Sequence, residues 1–172
     1  WSERWQKNWN ELPIIRDILA ENILEKLKVD QKTDFPSYTS NPEAYEYYLK
    51  AKYKWHNRKT IEDKEIVRGL LNKAIELDDN LIAAKNQLGN TEDDYDKAME
   101  IYSSALKQAE VLGDKSMIAI LVGNIGQQFL KQGVYDKALE YSIRALAIFE
   151  ELGDKNRMST SFHLIGIVYD YK

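Results

Sequence analysis

The strongest constraint on this chain is that it repeats itself at a fixed interval. Tyr95-Asp-Lys-Ala98 returns as Tyr135-Asp-Lys-Ala138, 40 positions later. Ala105-Leu106 returns as Ala145-Leu146, and Leu112-Gly-Asp-Lys115 as Leu152-Gly-Asp-Lys155, at the same offset. Ile125-Gly126 with Phe129 returns as Ile165-Gly166 with Tyr169. Four motifs sharing one offset mark a tandem repeat, in which each unit buries its apolar face against the next. The unit reads as helical. Pro13, Pro36 and Pro42 all lie in the first quarter, so no proline interrupts helix propagation after residue 42. Residues 97–106 and 137–151 are dense in helix formers, and sustained strand-type alternation is absent.

On a helical wheel Ile118, Leu121, Val122, Ile125 and Phe129 share one stripe about 100° wide. Gly126 borders that stripe, where the missing Cβ admits a neighbouring helix, and Ala138 and Ala145 do the same from the partner helix. Gly113 and Gly153 are predicted as left-handed residues closing one helix, with Asp114 and Asp154 as N-caps of the next.

Ile125-Gly126-x₂-Phe129 followed by Ala138 resembles the tetratricopeptide repeat, whose first helix carries a Leu-Gly pair and whose second carries Ala-x₃-aromatic. Leu88-Gly89 with Ala98-x₃-Tyr102 is a second copy, and Phe162-x₂-Ile165-Gly166-x₂-Tyr169 is the front half of another. An earlier unit over 47–79 keeps Ala74-Ile-Glu-Leu, with Ala51 at the small-residue position and a lengthened turn around 60–64. The resemblance implies an all-α fold. Tandem antiparallel helix pairs stack into a right-handed superhelix, an α-solenoid of about three and a half repeats over residues 42–172. Three departures stand out. The period is 40 rather than 34, similar to the long repeats of kinesin light chains and spindle-orientation adaptors. Ser142 replaces the usual aromatic, and the helix holding Gly89 is predicted to end early.

Residues 1–29 read as a separate helical segment. Trp1, Trp5 and Trp9 share one helix side, and Ile15, Ile18, Leu19, Ile23, Leu24 and Leu27 form a wide apolar face after Pro13. Trp1-Ser-Glu-Arg-Trp5 together with Ala20-Glu21-x-Ile23 resembles the tail of a TolB-like domain. Residues 30–41 read as a linker, closing on Asn41-Pro42 as N-cap and first-turn proline. Beginning at Trp1 rather than methionine, the chain reads as a piece of a longer protein.

Composition narrows the function. With 24 Lys+Arg against 28 Asp+Glu, no cationic excess is available for non-specific nucleic-acid binding. The absence of cysteine removes disulfides, thiolate nucleophiles and thiolate zinc sites. No apolar run approaches the roughly 18–20 residues that span a membrane. The two histidines, His56 and His163, lie in different repeats, so a metalloprotease pair at i and i+4 is impossible. Glu92, Asp93, Asp94 and Asp96 lack the glycine and terminal glutamate of a calcium loop and read as a helix start. No phosphate-loop, dinucleotide or nucleophile-elbow motif occurs. The chain is therefore read as a non-enzyme with no catalytic residue, no metal and no cofactor. The lack of cysteine and of Asn-x-Ser/Thr sequons fits a bacterial, cytoplasmic protein.

The expected function is a scaffold holding an extended peptide or partner protein in the concave groove of the array. The alternative is a regulatory segment of a larger cyclase or kinase whose catalytic domain lies elsewhere. The helical wheel places Ile120, Asn124, Gln127 and Lys131 on one face opposite the core stripe. One unit later that face carries Thr160, Leu164, Ile167 and Tyr171, with His163 beside it, and one unit earlier Asn86 and Asn90. Asn124 matches the asparagine with which the long-repeat adaptors it resembles hold a peptide backbone. A carboxylate clamp is unsupported, because the lysine positions hold Asn86 and Ile120. Phe162, Ile165 and Tyr169 fall on the other side of the last helix, so self-association through that open half repeat is also expected.

Overall fold

The computed structural model describes residues 41–171. The expected segment 1–29 and the linker, apart from Asn41, lie outside the described residues. Within them the chain forms seven helices: α1 (Pro42–His56), α2 (Ile61–Leu77), α3 (Ile82–Thr91), α4 (Tyr95–Leu112), α5 (Lys115–Lys131), α6 (Tyr135–Leu152) and α7 (Lys155–Tyr171). No strand occurs among the described residues.

Local sequence sets most helix ends. The Asn41 side chain accepts from the backbone N–H of Glu43 and Ala44 at 3.1 and 3.2 Å, with Pro42 in the first turn. The same carboxamide donates to the Leu77 carbonyl at 3.0 Å, tying the start of α1 to the end of α2. At the opposite end Lys54 meets Asp63 at 2.5 Å. Those two ties make α1 and α2 an antiparallel pair. The lengthened turn expected around 60–64 is absent. Thr60 instead caps α2: its hydroxyl accepts from Asp63 N–H, and the Asp63 carboxylate accepts from the N–H of Lys59 and Thr60. This capping box draws residues 61–64 into the helix and leaves a short turn over 57–60.

The predicted glycine turns are present. Gly113 and Gly153 each have φ +69, and Gly133 has φ +70. After each glycine the next N–H reaches back to a carbonyl five residues earlier: Asp114 to Ala109, Val134 to Phe129 and Asp154 to Phe149, at 2.9–3.0 Å. Asp114 then caps α5 by accepting from Met117 N–H, and Asp154 accepts from Arg157 N–H at the start of α7, both at 3.0 Å.

Helix α3 has 10 residues where α5 has 17, so it does end early. Arg68 of α2 donates to the Thr91 carbonyl at 2.7 Å and pairs with Glu92 at 3.1 Å, satisfying a carbonyl that the helix end leaves open. The core runs unit by unit. Ala44, Ala51, Val67, Leu71 and Ala74 pack on Leu81 and Ala84. Tyr102, Ala105, Leu121, Ile125 and Phe129 form the middle, and Ala119, Val122, Ala145 and Phe149 the next layer. Each helix packs on the one before and the one after it, and α3–α5 and α5–α7 also touch. The first helices α3, α5 and α7 therefore line one side of the stack. Helix α7 buries Ser161 and Val168, while Phe162 and Tyr169 are 53% and 64% exposed.

Candidate functional site

A cleft of about 290 Å³ opens between α5 and α7. Ile120, Asn124 and Gln127 line it from α5, and Thr160, His163 and Leu164 from α7. Six of the ten expected residues are thus brought together across two repeats. Ala119 and Gly123 stand one turn apart on α5 and deepen the hollow, and Phe149 reaches it from the last turn of α6. A Cβ at Gly123 would meet Ala145 at an ordinary 3.7 Å, so helix packing alone does not demand glycine there. Arg157 supplies the rim cation, paired with Asp154 at 2.5 Å, and no carboxylate lines the cleft.

Asn86 lies outside the cleft but is joined to it: Asn124 Nδ2 donates to Asn86 Oδ1 at 2.7 Å, linking α3 to α5. A carboxamide carries two N–H donors and an acceptor oxygen, so this single bond leaves the pair able to donate to and accept from a peptide unit. The structure does not bring Asn90, Lys131 or Ile167 to the cleft. Asn90 stays exposed near the end of α3, where its side chain accepts from the Tyr102 hydroxyl at 2.7 Å. Burial pushes that phenol up to about 12, against the opposing pull of a hydrogen bond with Gln128. Lys131 lies exposed at the end of α5 and helps Lys64, the main cause, to hold the Asp93 carboxyl below its ordinary value. Ile167 is half-buried beyond the cleft. Tyr171 stacks on Tyr135 at 6.0 Å and 3° between planes and does not line the cleft, whose aromatic lining residue is Phe149.

Phe149, Arg157, Ser161, Ala119 and Gly123 are the lining residues that the helical wheel of first helices missed. The Ala119-x₃-Gly123 spacing was a usable signal, since two small residues one turn apart leave a hollow. Phe149 had none, because it sits on a second helix. The acidic cluster is accounted for by packing: Glu92 pairs with Arg68, Asp93 with Lys64, and Asp94 caps α4 through Lys97 N–H. Among the described residues no group of three His, Cys, Asp or Glu is placed to hold a metal.

Antiparallel helix pairs in series, each touching only near neighbours, with a cleft along the first helices, define an α-solenoid. Residues 116–172 match the tetratricopeptide repeat family, and the helix-pair fold of the described residues is similar to that type of repeat. The crystal structure of BtubC (BKLC) from P. vanneervenii shares the fold with a TM-score of 0.63 at 19% identity, over 88% of this chain. The match spans 65% of that protein's length, and at such identity it speaks for the fold alone. No curated protein matches the sequence. Tetratricopeptide repeats are generally protein-interaction modules and typically non-catalytic. No helix among the described residues is long and apolar enough to cross a membrane.

Proposed function

We propose that the first-helix face of the array binds an extended internal segment of a partner protein. The observation that carries this reading is the α5–α7 cleft, where amides of two repeats stand beside an apolar floor. Asn124, braced by Asn86, grips the peptide backbone. Phe149, Ile120 and Leu164 take an apolar side chain, and Gln127, Thr160 and His163 form the polar rim. Micromolar affinity, about −8 kcal/mol, is the expected scale for one groove of this kind. A peptide-array screen followed by Asn124→Ala and Leu164→Glu tests it. Retained affinity in both variants rejects the groove.

We also propose that the array self-associates through α7. The exposed Phe162 and Tyr169 support this, and so does Gly166, where an added Cβ would meet nothing within 4 Å.

A further inference from the structure

Gly123 is a glycine that neither its backbone nor its packing requires. It sits in the middle of α5 and is not among the positive-φ glycines, so alanine fits its conformation. An added Cβ would meet one atom within 4 Å, Ala145 Cβ at an ordinary 3.7 Å. At Gly126, one turn on, it would press on Tyr141 Cβ at 3.1 Å. A mid-helix glycine is destabilising relative to alanine, so folding alone favours alanine at 123. Gly69 of α2 is free in the same way, with nothing within 4 Å of an added Cβ, but it is exposed and does not line the α5–α7 cleft. Gly123 does line it, half-buried beside Ile120 and Asn124.

We propose that Gly123 is a specificity-determining residue, whose missing Cβ keeps the cleft deep enough for one large apolar side chain, leucine or phenylalanine, of the bound segment. The proposal rests on the reading that the first-helix face holds an extended protein segment. The size of the cleft fits that occupant. An apolar cavity of roughly 150 Å³ holds a benzene ring, and pockets that bury small-molecule ligands start at roughly 300 Å³. At about 290 Å³ the cleft has room for one large side chain. Its lining fits as well. Ala119 and Phe149 are buried there and offer no counter-charge, so a charged group seated on them would lose water without gaining a partner. An apolar group gains burial instead. A methyl group at 123 would take up part of the depth that a large side chain needs, whereas a small side chain would not reach it.

The test uses the whole chain and an array of extended peptides in matched sets that differ only by Ala, Leu or Phe at one position. The wild-type chain should favour the Leu or Phe member of each binding set. In Gly123→Ala that preference should fall by about tenfold, the order by which a hydrophobic pocket discriminates a single methylene, while the Ala member binds as before. Gly123→Ala and the control Gly69→Ala should each leave Tm unchanged or raised, and Gly69→Ala should not alter binding. A lower Tm in Gly123→Ala would show that packing requires the glycine, and would overturn the assignment. Equal loss for all members of a set would overturn it too, because the glycine would then admit the peptide backbone rather than select a side chain. Binding that responds to Asn124→Ala and Leu164→Glu but not to Gly123→Ala removes the selector and keeps the groove. Indifference to all three variants, or no binding anywhere on the array, rejects both.

Discussion

Gly89, Gly126 and Gly166 hold the same place in successive repeats, yet their surroundings give alanine there opposite signs. A Cβ at Gly89 would stand 2.5 Å from the Tyr102 ring, which is pinned by Asn90. At Gly126 it would meet Tyr141 Cβ at 3.1 Å and backbone of α6 at 3.4 Å. At Gly166 it would meet nothing within 4 Å. Overpacking costs about 1–3 kcal/mol, and a helical glycine costs roughly 0.5–1 kcal/mol relative to alanine. Gly89→Ala and Gly126→Leu should therefore lower the urea midpoint, while Gly166→Ala should raise it. Equal shifts for Gly89→Ala and Gly166→Ala would show that the Tyr102 contact does not matter. Asp63 supplies a pH-dependent counterpart. The Lys54 ammonium, with the Lys59 and Thr60 N–H groups, lowers its carboxyl from 3.8 to about 2. A carboxyl depressed on folding stabilises the native state above its unfolded pKa and loses that effect as pH falls through the folded value. Tm should thus drop between about pH 4 and pH 2 through this group, and Asp63→Asn should flatten that part of the profile.

Among the helices and turns, what the sequence disclosed depended on how local each cause was. Asn41-Pro42 and the two Leu-Gly-Asp-Lys turns carry their whole mechanism within a few residues, so cap, left-handed glycine and next cap were all readable. The 57–60 turn departs from the expected lengthened turn although its capping box, Thr60 with Asp63, is local; only the tie from Lys54 of the preceding helix is beyond the reach of a local reading. The cleft divides in the same way. A wheel finds Asn124 and Leu164, since each faces outward from its own helix, but it cannot see that Tyr102 claims Asn90 or that Tyr135 claims Tyr171. The turns also yield a quantitative expectation. Alanine at Gly113, Gly133 or Gly153 must adopt a left-handed conformation, which costs about 1–2 kcal/mol per residue. Each substitution should lower stability by that order in chemical denaturation, although a Cβ at Gly113 or Gly153 meets no atom within 4 Å. Loss at Gly133 but not at the other two would point to its Tyr135 contact rather than to backbone strain.

For the whole array, stability follows from a sum over units and the interfaces between them, so an element with one covered side contributes least. Helix α7 is that element. It packs on α6 and touches α5, yet Phe162, Tyr169 and Tyr171 remain more than half exposed. Its amides should therefore exchange with deuterium sooner than those of α5, whose Leu121, Val122 and Ile125 are buried between neighbours. The same exposure makes the proposed self-association separable from peptide binding, because the two use different sides of one helix. Leu164 lines the cleft, whereas Phe162 and Tyr169 do not. Phe162→Glu with Tyr169→Glu places charge on an already solvated face, so Tm should change little, and a concentration-dependent sedimentation coefficient should fall to the monomer value. Leu164→Glu should weaken peptide binding and leave the sedimentation profile as it was. A wild-type chain that sediments as a monomer at high concentration contradicts the self-association, and so does a paired Glu variant that associates as strongly as the parent.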